Sequence, residues 1–253
     1  MIAYEKLPLD NEVKAALEGL EIEYVFQPIF YKDCVRIYAY EALMRPKKMT
    51  VGQLIDEFAR DEKLHILEVA TFFGATQAYI ERGYQEYLCI NSFPSESFTE
   101  NEAEAFDTYF GNQKGKRIIE ILEYPKVSLR EWVRKSEMVQ NKHWKVSLDD
   151  FGMGYAGLHQ LQQMKALPVD ILKIDKVFID MLPEDVSMVP AMIQLARGLS
   201  LRIVAEGVEN DAQYRWLQAA GVEVLQGHLF GCALPQEAFS ARYLSPVRED
   251  ENL

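Results

Sequence analysis

The stretch IEYVFQPIFYKDCVRIYAYEAL, residues 22–43, decides how this chain folds. Ile22–Phe30 and Val35–Leu43 are rich in β-branched and aromatic residues and read as strands. Only Tyr31-Lys-Asp-Cys34 separates them. A parallel crossover needs about a dozen residues or more, so this link predicts an antiparallel hairpin. Upstream, Asp10 is a plausible N-cap and Gly19 a plausible stop for a short helix within residues 1–20.

Downstream the pattern changes to strands separated by helical periodicity. Helical stretches near 51–82, 95–110, 128–141, 155–166, 187–198 and 210–220 alternate with the strands Tyr87–Asn91, Arg117–Leu122, Lys145–Asp149, Asp170–Ile174, Leu201–Ala205 and Val222–Gln226. About eight strands with intervening helices specify a mainly parallel α/β sheet. A closed barrel is the natural architecture for this count and length. An open doubly wound sheet fits the same alternation, because periodicity does not report closure. No linker or repeat divides residues 21–246, which read as one domain followed by a polar tail, 247–253.

Of the 253 residues, 49% are hydrophobic and 26% charged, a composition that supports a sizeable core. The formal net charge of -12 argues against binding a DNA or RNA duplex, whose phosphates are held by clustered Lys and Arg. The charged N-terminus lacks the apolar core of a signal peptide, and no stretch reaches the roughly 20 apolar residues of a membrane span. The expected location is therefore the cytoplasm. Cys34, Cys89 and Cys232 show no metal-ligand spacing and read as buried thiols.

Polar residues recur at one place in each unit, the C-terminal end of the strand: Glu41, Asn91, Glu120, Asp149 with Asp150, Lys173, Glu206 and Gln226. In a parallel barrel those ends converge on the face where barrel active sites are built. Taken singly, each has a plainer reading as a solvated group or a helix cap. Lys173 within Ile-Leu-Lys-Ile resists that reading, since a buried ammonium requires paired carboxylates. So many carboxylates at one pole repel one another unless a cation sits among them. Oxygen donors without histidine or cysteine suit Mg²⁺ or Mn²⁺ better than Zn²⁺. The four histidines, 65, 143, 159 and 228, occupy no such pattern. Adjacent aspartates can bridge two ions about 3.5–4 Å apart, as in phosphoryl chemistry. The residues alone thus reach a metal-assisted hydrolase, best suited to a phosphoester.

From about residue 20 to 245 the order of these segments resembles the EAL family of cyclic-di-GMP phosphodiesterases. Glu41-Ala-Leu-Met-Arg45 matches the naming motif, preceded by Gln27-Pro-Ile. Asn91, Glu120-Ile-Leu-Glu123, Asp149-Asp-Phe-Gly-Met-Gly154, Leu172-Lys-Ile-Asp175, Ala205-Glu-Gly-Val-Glu209 and Gln226-Gly follow in order. The resemblance implies an α/β fold, a (β/α)₈ TIM-like barrel with its first strand antiparallel to the others, in agreement with the hairpin, and hydrolysis of cyclic-di-GMP to linear pGpG by a two-metal route using Mg²⁺ or Mn²⁺. Glu41, Asn91, Glu120, Asp149 and Asp150 would hold the metals. Lys173, Glu206 and Gln226 would handle the attacking water, with Glu209 supporting them from behind. Gln27, Leu43 and Arg45 would seat the nucleotide, and Glu123 would anchor the loop after Asp150. That loop and its neighbouring helix would carry a homodimer contact.

Two departures from the family pattern fall in this loop: Met153 replaces the usual Thr, and Tyr155-Ala-Gly-Leu158 the usual Tyr-Ser-Ser-Leu. A lost hydroxyl removes at most one hydrogen bond, about 0.5–1.5 kcal/mol, so altered loop coupling is expected rather than lost chemistry. A catalytically weak domain acting as a cyclic-di-GMP receptor or protein-docking module is the alternative, discriminated by turnover. A barrel enzyme acting on another phosphoester or on a carbon acid, with Lys173 as base, is discriminated by substrate profiling.

Overall fold

The structure, a computed structural model, describes residues 1–81, 83–111, 116–121, 129–151, 168–184 and 187–243. Strand β1 (Ile22–Tyr31) and β2 (Ile37–Pro46) form the hairpin expected from the short link, antiparallel with Gln27 opposite Glu41 and a register shift at Ile29/Phe30. From β2 the sheet runs in parallel through β3 (Tyr87–Ser92), β4 (Arg117–Ile121), β5 (Lys145–Phe151), β6 (Ile171–Ile174), β7 (Arg202–Ala205) and β8 (Val224–Leu225). Strand β8 then pairs antiparallel with the end of β1, Phe30 opposite Leu225, and closes the barrel. Closure excludes the open-sheet alternative. A ninth strand, β9 (Leu234–Pro235), pairs with β1 near Val25 and leads into a helix at Gln236–Tyr243. Both escaped the sequence reading, because a two-residue strand carries no periodicity.

Helix α1 (Asn11–Leu17) follows Asp10 as expected, although the Asp10 side chain makes no capping bond. The stretch near 51–82 is two helices, α2 (Val51–Arg60) and α3 (Leu64–Glu81). The chain breaks where Glu62 takes φ 56° and Lys63 N–H turns back to the Phe58 carbonyl. Helix α4 is Glu100–Phe110, α5 Leu129–Asn141, α6 the short Lys176–Ile179, α7 Met188–Gly198 and α8 Asp211–Ala219. Reciprocal caps at Thr50/Gln53, Thr99/Glu102 and Asn210/Gln213 fix the starts of α2, α4 and α8. The helix expected near 155–166 lies outside the described residues.

Helix α3 is buried on nearly every face. The barrel lies on one side, and Tyr4, Leu7, Leu9, Val13 and Leu17 of the N-terminal segment join the same core. The approach is tight enough that a Cβ at Gly74 would meet the Tyr4 hydroxyl at 2.6 Å. Five side chains between residues 4 and 17 thus share one core with the barrel's outer face. Of the three cysteines only Cys89 is buried; Cys34 sits half-buried in the hairpin turn at φ 58°, and Cys232 is exposed. The expectation of buried thiols thus fails for Cys34 and Cys232, because a hairpin turn and a loop bring them to the surface. Among the described residues no helix is long and apolar enough to cross a membrane.

A smaller apolar cluster fills the barrel itself: Ile29, Tyr38, Ala39, Cys89, Ile118, Ile171, Val204 and Val224. Strand side chains alternate, so the residue two positions along from an inward-facing one also faces inward. Two positions beyond Ala39, Cys89, Ile118, Ile171, Val204 and Val224 stand Glu41, Asn91, Glu120, Lys173, Glu206 and Gln226. Buried Ser147 stands in the same relation to Asp149. Apart from Asp150, the polar residues picked out in the sequence therefore form one layer of the barrel interior, stacked on the apolar layer at the C-terminal ends of the strands.

Candidate active site

Lys173, 1% exposed, is the hub of this layer. Its Nζ lies 2.9 Å from Glu120 Oε1, 3.0 Å from Asp149 Oδ1 and 2.5 Å from Glu206 Oε1. Glu41 is held from two sides, by Gln226 Nε2 donating at 2.5 Å and by Asn91 Nδ2 at 3.4 Å. Gln27 stands opposite Glu41 on β1 and donates to the Gly231 carbonyl at 3.3 Å. Seven side chains from the ends of seven strands thus gather in one layer as two bonded groups, Lys173 with Glu120, Asp149 and Glu206, and Glu41 with Asn91 and Gln226.

Backbone chemistry explains the glycines beside it. Gly207, directly after Glu206, takes φ +65°, and a Cβ there would lie 2.4 Å from Lys176 Cβ. Gly227, directly after Gln226, packs so closely on β7's outgoing loop that a Cβ would meet Val208 O at 2.1 Å. The tight turns aim Glu206 and Gln226 inward while their strands end.

Charge is far from balanced. Glu41, Glu120, Asp149 and Glu206 set four carboxylates against the single Lys173 ammonium, before Asp150 is added. Burial drives the Glu120 carboxyl well above its usual range; Lys173 opposes this, while Glu41, Asp149 and Glu206 reinforce it. Glu206 is pushed up to about 8, again chiefly by burial. Burial by itself pulls the Lys173 ammonium down, but the four carboxylates together outweigh it and hold its pKa well above the ordinary value. The lysine therefore stays charged, and the carboxylates still lack positive charge. A low-dielectric pocket answers such a deficit with protons or with a further cation.

The donor set fits a hard divalent cation. All its oxygens come from carboxylates and amides, and Glu120 Oε2 and Gln226 Oε1 are buried with no hydrogen-bond partner among the described residues. Among those residues no three acidic, His or Cys side chains converge on a point of their own; they converge on Lys173. Asp150 continues β5, and its side chain lies outside what is described.

The remaining predicted residues sit less centrally. Leu43 and Arg45 continue β2 beyond Glu41 toward the rim; Arg45 is exposed, its Nη1 on the Met44 carbonyl at 2.9 Å. Glu209 pairs with Lys176 at 2.9 Å and with His228 at 3.6 Å. Glu123, Met153 and the Tyr155–Leu158 segment lie outside the described residues.

The EAL domain family profile matches residues 10–233. The chain belongs to the EAL domain family. This EAL domain is 32% identical over 246 residues to the probable cyclic di-GMP phosphodiesterase PdeB of Escherichia coli K12, an alignment spanning 90% of this chain and 46% of PdeB. It spans under half the length of that relative. Among solved structures it resembles a standalone versatile EAL protein from Vibrio cholerae O395 in its c-di-GMP-bound form, at 25% identity and TM-score 0.74, covering 86% of this chain and 94% of that one. The EAL domain of Mycobacterium smegmatis DcpA is similar at 27% identity and TM-score 0.67, with 90% and 97% covered.

Sequence reasoning passed over a second polar group behind β3. Glu68, Ser92 and Lys135 are all buried and joined, and His65 bridges Glu96 and Glu102. A visible signal existed for Glu68, a lone carboxylate in the apolar helical run LHILEVATFF. Lys135 offered none, because α5 is amphipathic and lysine is ordinary there.

Proposed function

We propose that this EAL domain is a metal-dependent phosphodiesterase that hydrolyses one ester bond of cyclic-di-GMP to give linear pGpG. The observation that carries this reading is the cluster of strand-end carboxylates around Lys173, short of positive charge, with buried oxygen atoms that lack hydrogen-bond partners among the described residues. Similarity over most of this chain to PdeB and to the c-di-GMP-bound Vibrio cholerae protein supports it.

Glu41, Asn91, Glu120, Asp149 and Asp150 would hold Mg²⁺ or Mn²⁺, two ions being the number that adjacent aspartates suit. When bound, such ions lower the pKa of water and neutralise charge on the phosphoryl oxygens. The protein's own groups do the rest. Lys173, kept charged by its carboxylates, donates hydrogen bonds and is no base; it orients water and offsets negative charge developing at phosphorus. Glu206, its pKa raised to about 8, is the group best placed to take or return a proton near neutral pH. Gln226 keeps Glu41 in place, and its own buried Oε1 has no hydrogen-bond partner among the described residues. Arg45 at the rim would meet a phosphate, with Gln27 and Leu43 along the nucleotide. Dimerisation through the loop after Asp150 and its neighbouring helix belongs to the same proposal.

The test is conversion of cyclic-di-GMP to pGpG with Mg²⁺ or Mn²⁺ across a protein-concentration series. Glu41→Ala should abolish turnover while leaving the protein folded. A folded, metal-loaded wild type that binds cyclic-di-GMP without cleaving it would move the domain to the receptor class.

A further inference from the structure

The buried group behind β3 does something the carboxylate ring cannot do for itself. Glu68 on α3 is 1% exposed, Lys135 on α5 0% and Ser92 at the end of β3 1%. Lys135 Nζ donates to Glu68 Oε1 and, at 2.8 Å, to Ser92 Oγ. Ser92 Oγ donates to Glu68 Oε1 at 2.7 Å, and the Phe93 N–H donates to Glu68 Oε2 at 2.9 Å. Two helices and the two residues that follow Asn91 are thereby joined in one set of four directed bonds. Asn91 faces the barrel interior beside Glu120, and Ser92, by strand alternation, faces the helices.

We infer that the Glu68–Lys135–Ser92 group is a positioning clamp for Asn91, holding the end of β3 at the depth and angle that present its side-chain amide to a divalent cation. The inference rests on the reading of Asn91 as a metal ligand. Stability does not account for the clamp, because taking two charges out of water is costly and a well-packed apolar pair is often as stable or more so. What leucine and methionine cannot supply is direction. A serine hydroxyl and a backbone N–H gripped by one carboxylate fix both position and rotation of the strand end, and such outer contacts commonly set how well a ligand binds its metal. Among the described residues the Asn91 side chain is otherwise held by the 3.4 Å contact to Glu41 alone.

The experiment uses the full chain and Mn²⁺ as probe, with affinity read by electron paramagnetic resonance titration and unfolding followed separately in EDTA. Glu68→Leu combined with Lys135→Met keeps the volume and removes both charges. The expected result is unfolding at or above the parent's temperature with Mn²⁺ affinity reduced by about 10- to 100-fold. Ser92→Ala, which leaves the ion pair intact, should weaken Mn²⁺ by about 2- to 10-fold and carries the test if the double variant does not fold. Lys135→Arg should restore most of the affinity. Parent-like Mn²⁺ affinity in folded clamp variants, with Asn91→Ala weakened, overturns the clamp alone. Unchanged affinity in Asn91→Ala overturns the ligand reading beneath it.

Discussion

Replacing Lys173 by Met removes the one positive charge at the centre of the carboxylate layer while keeping the volume of its stem. The ammonium lies 2.5–3.0 Å from three carboxylates. At an effective dielectric of 20 each contact is worth about 5 kcal/mol in Coulomb terms, and desolvation of the groups takes back most of the sum. Breaking a buried pair by removing one partner costs about 3–5 kcal/mol net. Protonation caps the cost here, since Glu206 already sits near 8 and moves further up when its partner goes. For a chain of this length about 2–4 °C of melting temperature accompanies each kcal/mol, so unfolding in EDTA should fall by about 6–20 °C. Loss of the ammonium also strengthens the field at Glu120 and Asp149, so Mn²⁺ affinity should hold or rise while cyclic-di-GMP turnover collapses. A melting temperature within about 2 °C of the parent, or Mn²⁺ affinity reduced about tenfold, would refute the charge-balance reasoning.

Gly227→Ala should destabilise by about 3 kcal/mol or more, because the new Cβ would meet backbone atoms of Val208, which cannot rotate away; thermal unfolding checks this. His65, held between Glu102 and Glu96, has its pKa raised to about 10 from 6.5. That contribution is complete below pH 6.5 and disappears as pH rises through 10, whereas the lowered pKa values of Glu96 and Glu102 make theirs disappear as pH falls below 4.5. His65→Gln should therefore flatten the stability profile above pH 6.5, by about 1–2 kcal/mol once solvent screening of a side chain 33% exposed is allowed for; urea titrations from pH 5 to 10 measure it. Arg117 is wholly buried with Nη1 on the Lys116 carbonyl, its guanidinium over Tyr79, and Nε and Nη2 without partners among the described residues. Burial pulls its pKa down to about 10, and since no carboxylate among the described residues would be orphaned, Arg117→Met should be neutral or stabilising within about 1 kcal/mol by urea unfolding.

The sequence by itself determined the barrel's direction of travel and the membership of its polar layer. A four-residue link compels an antiparallel start, and strand periodicity places Glu41, Asn91, Glu120, Asp149, Lys173, Glu206 and Gln226 at equivalent positions. Both are local facts, fixed by chain geometry over a few residues. Closure through Phe30 and Leu225, the split of α2 from α3, and the exposure of Cys232 depended on residues far apart in the chain or on the turns between elements. The same holds for which carboxylates Lys173 touches, and most of all for the clamp, where α3, α5 and β3 bring Glu68, Lys135 and Ser92 together across 67 positions of sequence. Polar side chains reveal that they need a partner as soon as burial is inferred; which partner they have is decided only when helices pack against strands.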